Sequence, residues 1–215
     1  MRRYDVCGVF ASLLLLVASC KSTYYGAYEK VGVYKRDLLK KRVVAARDAQ
    51  KDAQQEFKDA LTRLREIANF EGGEIEKRYH QLQSDYDGAA GRVGAVHKRV
   101  QAVQTVANDL FAEWEKENQE IGTESLRATS RQQLTETRQR YDQMLSMLKR
   151  AEASMDPVLH KLHDYVLALK HSLNAQAIAT LKGEAVNIQV EINRLLEDMN
   201  ASTVRADEFI KGLPQ

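Results

Sequence analysis

From Ile75 to Trp114 the apolar and small residues of the chain keep a spacing that alternates four and three: Ile75, Tyr79, Leu82, Tyr86, Ala89, Val93, Val96, Val100, Val103, Ala107, Leu110 and Trp114. A period of 3.5 residues is the seam of a helix that packs against other helices along its whole length, whereas a strand repeats every second residue. The rule also runs through Leu39, Val43, Ala46, Gln50, Ala53, Phe57, Ala60, Leu64 and Ile67. It returns in Ile178, Leu181, Ala185, Ile188, Ile192, Leu195, Met199, Ser202, Ala206 and Phe209. A looser version joins Leu134, Thr137, Tyr141, Met144, Leu148, Ala151, Met155, Val158, Leu162, Tyr165 and Leu169. No stretch sustains period two, so the fold class is all-α. A charged fraction of 29%, an aromatic fraction of 7% and only 2 prolines suit long packed helices better than a compact enzyme domain.

Breakers divide these seams at Glu71-Gly72-Gly73, Ile121-Gly122-Thr123 and Ser172-Leu173-Asn174. The spacing therefore predicts helices over 24–70, 74–120, 124–173 and 175–211, the longer ones about 70 Å long at 1.5 Å per residue. Short connections make neighbours antiparallel, and no linker-like stretch interrupts residues 20–215. The expectation is one elongated antiparallel bundle or coiled coil of about four long helices. Alanines on the first seam permit close helix approach, and the Tyr, Val and Trp of the second fill the facing holes.

Two irregularities stand out. Pro157 inside the third helix removes a hydrogen bond at a cost of about 3 kcal/mol, so a kink is expected there, or a restart with Asp156 as the cap. Gly88, Gly91 and Gly94 cost roughly 1 kcal/mol each in a helix interior, which implies either a hinge or, as read here, close approach by a neighbouring backbone.

The first residues have a different character. Arg2 and Arg3 precede an apolar run from Val9 to Val17, which ends in the lipobox-like Val17-Ala18-Ser19-Cys20. The run is too short to span a bilayer, which takes about 20 apolar residues. It reads as a lipoprotein signal peptide over residues 1–19, with Cys20 as the lipidation site and new amino terminus. Two or three fatty acyl chains, palmitate among them, make such an anchor durable, because a single chain gives only marginal binding. By resemblance to enterobacterial sorting rules, Lys21 in place of an aspartate after Cys20 favours the outer membrane, facing the periplasm. The second cysteine, Cys7, lies inside the signal, so disulfides and thiolate metal sites are not expected in the mature chain. Removing residues 1–19 leaves 30 basic and 29 acidic residues, a balance that argues against nucleic-acid binding.

Candidate chemistry is sparse. His160, His163 and His171, with Asp156 and Asp164, fall on one arc of the third helix; they are read as solvated, with a metal site or pH-sensitive interface as the alternative. GxSxG, HExxH, P-loop and GxGxxG patterns are missing, and neither catalysis nor a cofactor is expected. Near the anchor, Lys35, Arg36, Lys40, Lys41 and Arg42 accompany Tyr24, Tyr25 and Tyr28. This collar either engages an anionic lipid surface, at about 1 kcal/mol per cation, or closes the end of the bundle.

The runs Tyr34-Lys35-Arg36-Asp37, Arg47-Asp48-Ala49-Gln50-Lys51-Asp52-Ala53, Phe57-Lys58-Asp59-Ala60-Leu61, Met155-Asp156-Pro157-Val158-Leu159 and Leu169-Lys170-His171-Ser172-Leu173-Asn174-Ala175-Gln176-Ala177-Ile178-Ala179 resemble a bacterial family, the domain of unknown function 2959. The resemblance covers nearly the whole mature chain. It implies a Gram-negative envelope lipoprotein and carries over no catalytic residue, cofactor or partner. The expected function is that of a non-enzymatic, lipid-anchored interaction or scaffold protein, bound to the membrane through its lipid and to an envelope protein or a second copy of itself. The alternatives are a membrane-organising protein that binds phospholipid through the collar, and a metal-dependent enzyme on the third helix.

Overall fold

The structure is a computed structural model, and it describes residues 35–69, 75–171 and 175–213. Four helices follow one another: α1 Lys35–Ala68, α2 Ile75–Glu120, α3 Glu124–His171 and α4 Ala175–Gly212. They form a closed ring in which α1 packs on α2 and α4, and α3 packs on the same two helices from the opposite corner. Cross-helix polar contacts show each neighbouring pair to be antiparallel. Lys35 and Arg63 of α1 reach Glu113 and Asp85 of α2. Arg47 and Arg65 reach Asp207 and Gln189 of α4, while Arg150 and Lys161 of α3 reach Asp198 and Glu191 of α4. In every pair one residue number rises as the other falls.

The helices are not equal in reach. α1 begins level with Glu113 of α2, and α4 ends level with Arg140 of α3, whose Nη1 donates to the Gly212 carbonyl at 2.9 Å. α2 and α3 continue past both to the turn at residues 121–123, so their hairpin overhangs Lys35 by about 10 Å, seven residues at 1.5 Å each. Trp114 Nε1 donates to Ser130 Oγ at 2.9 Å and ties the two arms together. Arg127 Nε and Nη2 donate to the Ile121 carbonyl at 2.8 and 2.6 Å, satisfying main-chain oxygen left over at the end of α2.

The core is the set of seams. All nine seam positions predicted for α1, from Leu39 to Ile67, are buried, with Ala46, Ala53 and Ala60 at 0% exposure where the helices come close. Two seams shift. On α2 the buried residues after Val103 are Val106, Ala107, Phe111 and Asn118, and Leu110 and Trp114 are only half-buried. An undistorted helix drifts about 20° per heptad from a strict 3.5 repeat, and successive steps of four from Val103 through Ala107 to Phe111 absorb that drift as α2 leaves the ring. On α3, Val166 replaces Tyr165 at the core; the tyrosine stays half-buried and carries its hydroxyl toward Glu184 and Glu191.

The structure rules out a helix restart at Pro157 and close approach at two of the three glycines. α3 neither ends nor restarts at Pro157, and Asp156 is no cap: its Oδ2 lies 3.7 Å from His97 Nε2 across the α2–α3 groove. Ala153 and Pro157 are both exposed, so the carbonyl that loses its partner faces water and the helix carries on. Of the three glycines only Gly88 is in close approach. A Cβ there would meet Glu56 Oε2 at 2.8 Å, whereas at Gly91 and Gly94 it would meet nothing within 4 Å. Those two positions are not packed by any backbone. Gly91→Ala and Gly94→Ala should each stabilise the bundle by about 1 kcal/mol, read as a higher urea midpoint with unchanged slope. A lowered midpoint would mean that the glycines serve bending.

Candidate functional site

Cys20, Tyr24, Tyr25 and Tyr28 lie outside the described residues. The remainder of the collar sits on the first two turns of α1, at the end of the bundle shared with the α2–α3 turn. Lys35 Nζ is drawn to Glu113 Oε1 at 2.5 Å, and Arg36 and Arg42 are half-buried. Lys40 and Lys41 are exposed. The run is thus divided between holding α1 onto α2 and facing solvent.

The histidine arc comes apart in three dimensions. His160 and His171 are exposed, but His163 is half-buried and stacks on Tyr86 of α2, ring centroids 5.1 Å apart and planes 26° from parallel. Sequence reading sent the whole arc to solvent because it placed the α2 seam without its flanks. Among the described residues no three His, Cys, Asp or Glu side chains gather as metal ligands would. Near His97, burial raises the Glu152 carboxyl above its usual range, and His97 and Lys149 pull it back.

An open groove of about 700 Å³ runs along α3, lined by Glu115, Arg131, Leu134, Arg138 and Asp142 among others. Two of its polar side chains pair across the α2–α3 interface. Arg138 Nη1 binds Glu115 Oε1 at 2.6 Å and its guanidinium lies 5.0 Å above the Phe111 ring, while Thr135 Oγ1 donates to the Arg131 carbonyl at 2.9 Å. No nucleophile with a base beside it lines this groove.

The outer face of α4 carries something the sequence reading missed. Val186, Val190 and Val204 are 69%, 54% and 49% exposed, on the side of the helix opposite Ile188, Ile192 and Leu195. The signal was present as a second spacing of three and four, Gly183, Val186, Val190, Asn193, Glu197, Asn200 and Val204, overlooked because Asn193, Glu197 and Asn200 interrupt it. Arg65 of α1 bonds Gln189 of α4, which puts Val186 level with Ala68, the far end of α1 from Lys35. Thirty-three residues separate those levels, about 50 Å. Leu126, 61% exposed, lies at the other extremity, just past the α2–α3 turn.

Two further places hold groups with shifted pKa values. Arg47 and Asp207 clamp α1 to α4 at 2.5 Å; the hydrogen bond holds the Asp207 carboxyl below the usual carboxylate range and Arg47 above its own. Tyr141, 4% exposed between Phe111 and Phe209, has its phenol pushed up to about 12 by burial, with a further push from Asp142. A phenol raised from 10 to about 12 contributes stability that is complete below pH 10 and is lost as pH climbs through 12. Its hydroxyl has no partner, so Tyr141→Phe should cost nothing near neutrality and should flatten the alkaline fall in urea midpoint. A drop in midpoint near neutrality would reveal a hydrogen bond to that hydroxyl.

The family model described as "Protein of unknown function (DUF2959)" matches residues 24–213. The chain belongs to this family. The matched span takes in all four described helices and the segments between them. No curated protein and no solved structure matches the chain. Among the described residues, no helix is long and apolar enough to cross a membrane.

Proposed function

We propose that the protein is a non-enzymatic spacer of the bacterial cell envelope, held to the outer membrane by lipid on Cys20 and presenting its outer helix faces to an envelope partner. One observation supports this reading above the others. The start of α1, which follows the lipobox in sequence, shares an end with the α2–α3 turn, and the exposed Val186 and Val190 lie about 50 Å away near the opposite end. A post moored at one end and apolar near the other holds a contact at a set height. Its narrow, filled seams suit rigidity more than chemistry.

The test is photocrosslinking in cells from single positions on the lipidated protein. Discrete adducts from Val186 or Val190, absent from exposed polar positions such as Lys58, support the spacer. No adduct from either valine contradicts it. A second reading keeps the phospholipid collar, favoured by the exposure of Lys40 and Lys41 at the moored end. It requires an unlipidated form to sediment with anionic liposomes in low salt and to stop doing so when both lysines become Gln.

A further inference from the structure

Gln50 and Ser202 are polar residues at seam positions where the pattern calls for apolar ones, and both are 0% exposed. They occupy the same layer. Arg47 bonds Asp207 and Gln54 Nε2 donates to the Leu196 carbonyl at 3.3 Å, and between these two α1–α4 contacts Gln50 falls opposite Ser202. Gln50 Nε2 donates across the core to the Leu148 carbonyl of α3 at 3.3 Å, but its Oε1 accepts nothing and Ser202 Oγ makes no hydrogen bond. Two buried orphans in one layer are each destabilising if left so, because neither recovers the hydrogen bonds it gave up to water. Small side chains lie nearby among larger ones: Ala46 and Ala53 precede and follow Gln50 on the α1 seam, Ala151 comes from α3 and Ala206 from α4, beside Leu148 of α3 and Met199 of α4, all at 0% exposure.

We infer that Gln50 and Ser202 enclose one internal water molecule that serves as the register key of the bundle. The water accepts from the Ser202 hydroxyl and donates to Gln50 Oε1, which leaves one hydrogen for a main-chain carbonyl of the layer; three partners are what buried waters typically have. A key is needed because a seam of period 3.5 looks the same after a slide of seven residues. Moving α4 by one heptad would set Leu195 or Phe209 against Gln50 and strand its carbonyl in an apolar layer. The inference stands apart from the proposed function, since it concerns how the four helices find their alignment.

High-resolution crystal structures of the full mature chain and of its Ser202→Ala variant test the site. The expected result is a water within about 3.2 Å of both Gln50 Oε1 and Ser202 Oγ in the parent, displaced or lost in the variant. A dry layer in the parent, or a direct bond between the two side chains, overturns the inference. A double-mutant cycle gives a second reading. Ser202→Ala alone should raise the unfolding equilibrium constant about tenfold, as a lost buried partner does, and combining it with the shape-conserving Gln50→Met should recover most of that change. Additive effects of the two substitutions would refute the shared water as surely as a dry layer.

Discussion

Phe57→Ala is expected to cost about 3 to 5 kcal/mol of stability, a large share of the 5 to 15 kcal/mol a domain possesses. Phe57 is among the largest side chains at 0% exposure, and it projects from α1 into the centre of the ring. On either side along the α1 seam lie Ala53 and Ala60, themselves fully buried, so the neighbours are too small to swing into the space. The lost transfer energy and the unfilled cavity therefore add. Urea unfolding followed by circular dichroism should show the midpoint falling steeply. A loss below about 1 kcal/mol would mean that the bundle closes up around the gap, and that α1 is held less rigidly than its burial implies.

Cys20→Ala should move the protein from the membrane fraction to the soluble or uncleaved precursor pool while its helical content stays unchanged. The reasoning is arithmetic on acyl chains. Each buried CH₂ contributes about 0.8 kcal/mol, and two or three chains together make an anchor that washing does not remove. Nothing in α1 to α4 replaces it, because no described helix is apolar enough to cross a bilayer. Metabolic labelling with palmitate should mark the parent and not the variant. An unlabelled parent, or a variant still firmly in the membrane fraction, would end the lipid-anchor proposal.

How much of this molecule was legible in its residues differs from one helix to the next. On α1 the seam read from Leu39 to Ile67 is the buried face without exception, because that helix has a neighbour on each flank over its length and the supercoil keeps the period at 3.5. On α2 the reading slipped at Leu110 for a reason a one-dimensional pattern cannot hold: successive steps of four from Val103 through Ala107 to Phe111 shift the buried face as α2 nears the level of Lys35, where the described α1 begins. Glycine was misjudged at Gly91 and Gly94, since composition says that a glycine costs stability but not whether anything approaches it. The histidines of α3 share an arc, yet whether an arc meets a neighbour depends on ring order, and the α2–α3 packing takes His163 and leaves His160 and His171 in water. Polar seam members were the most informative and the least used. Gln50 and Ser202 were recorded as members of the pattern, while their pairing in one layer required the α1–α4 alignment.

The most direct test of the account is a pair of distances measured by double electron–electron resonance. Spin labels at Lys51 of α1 and Val204 of α4 lie at one level of an antiparallel pair aligned by Arg47 and Asp207, so their separation should be short, little more than the helix spacing plus the label arms. Labels at Lys51 and Val186 should be displaced along the axis by about a further 27 Å, at 1.5 Å per residue. A long first distance, or two distances alike, would contradict the antiparallel α1–α4 alignment and with it the bundle that sets the start of α1 and the exposed Val186 near opposite ends.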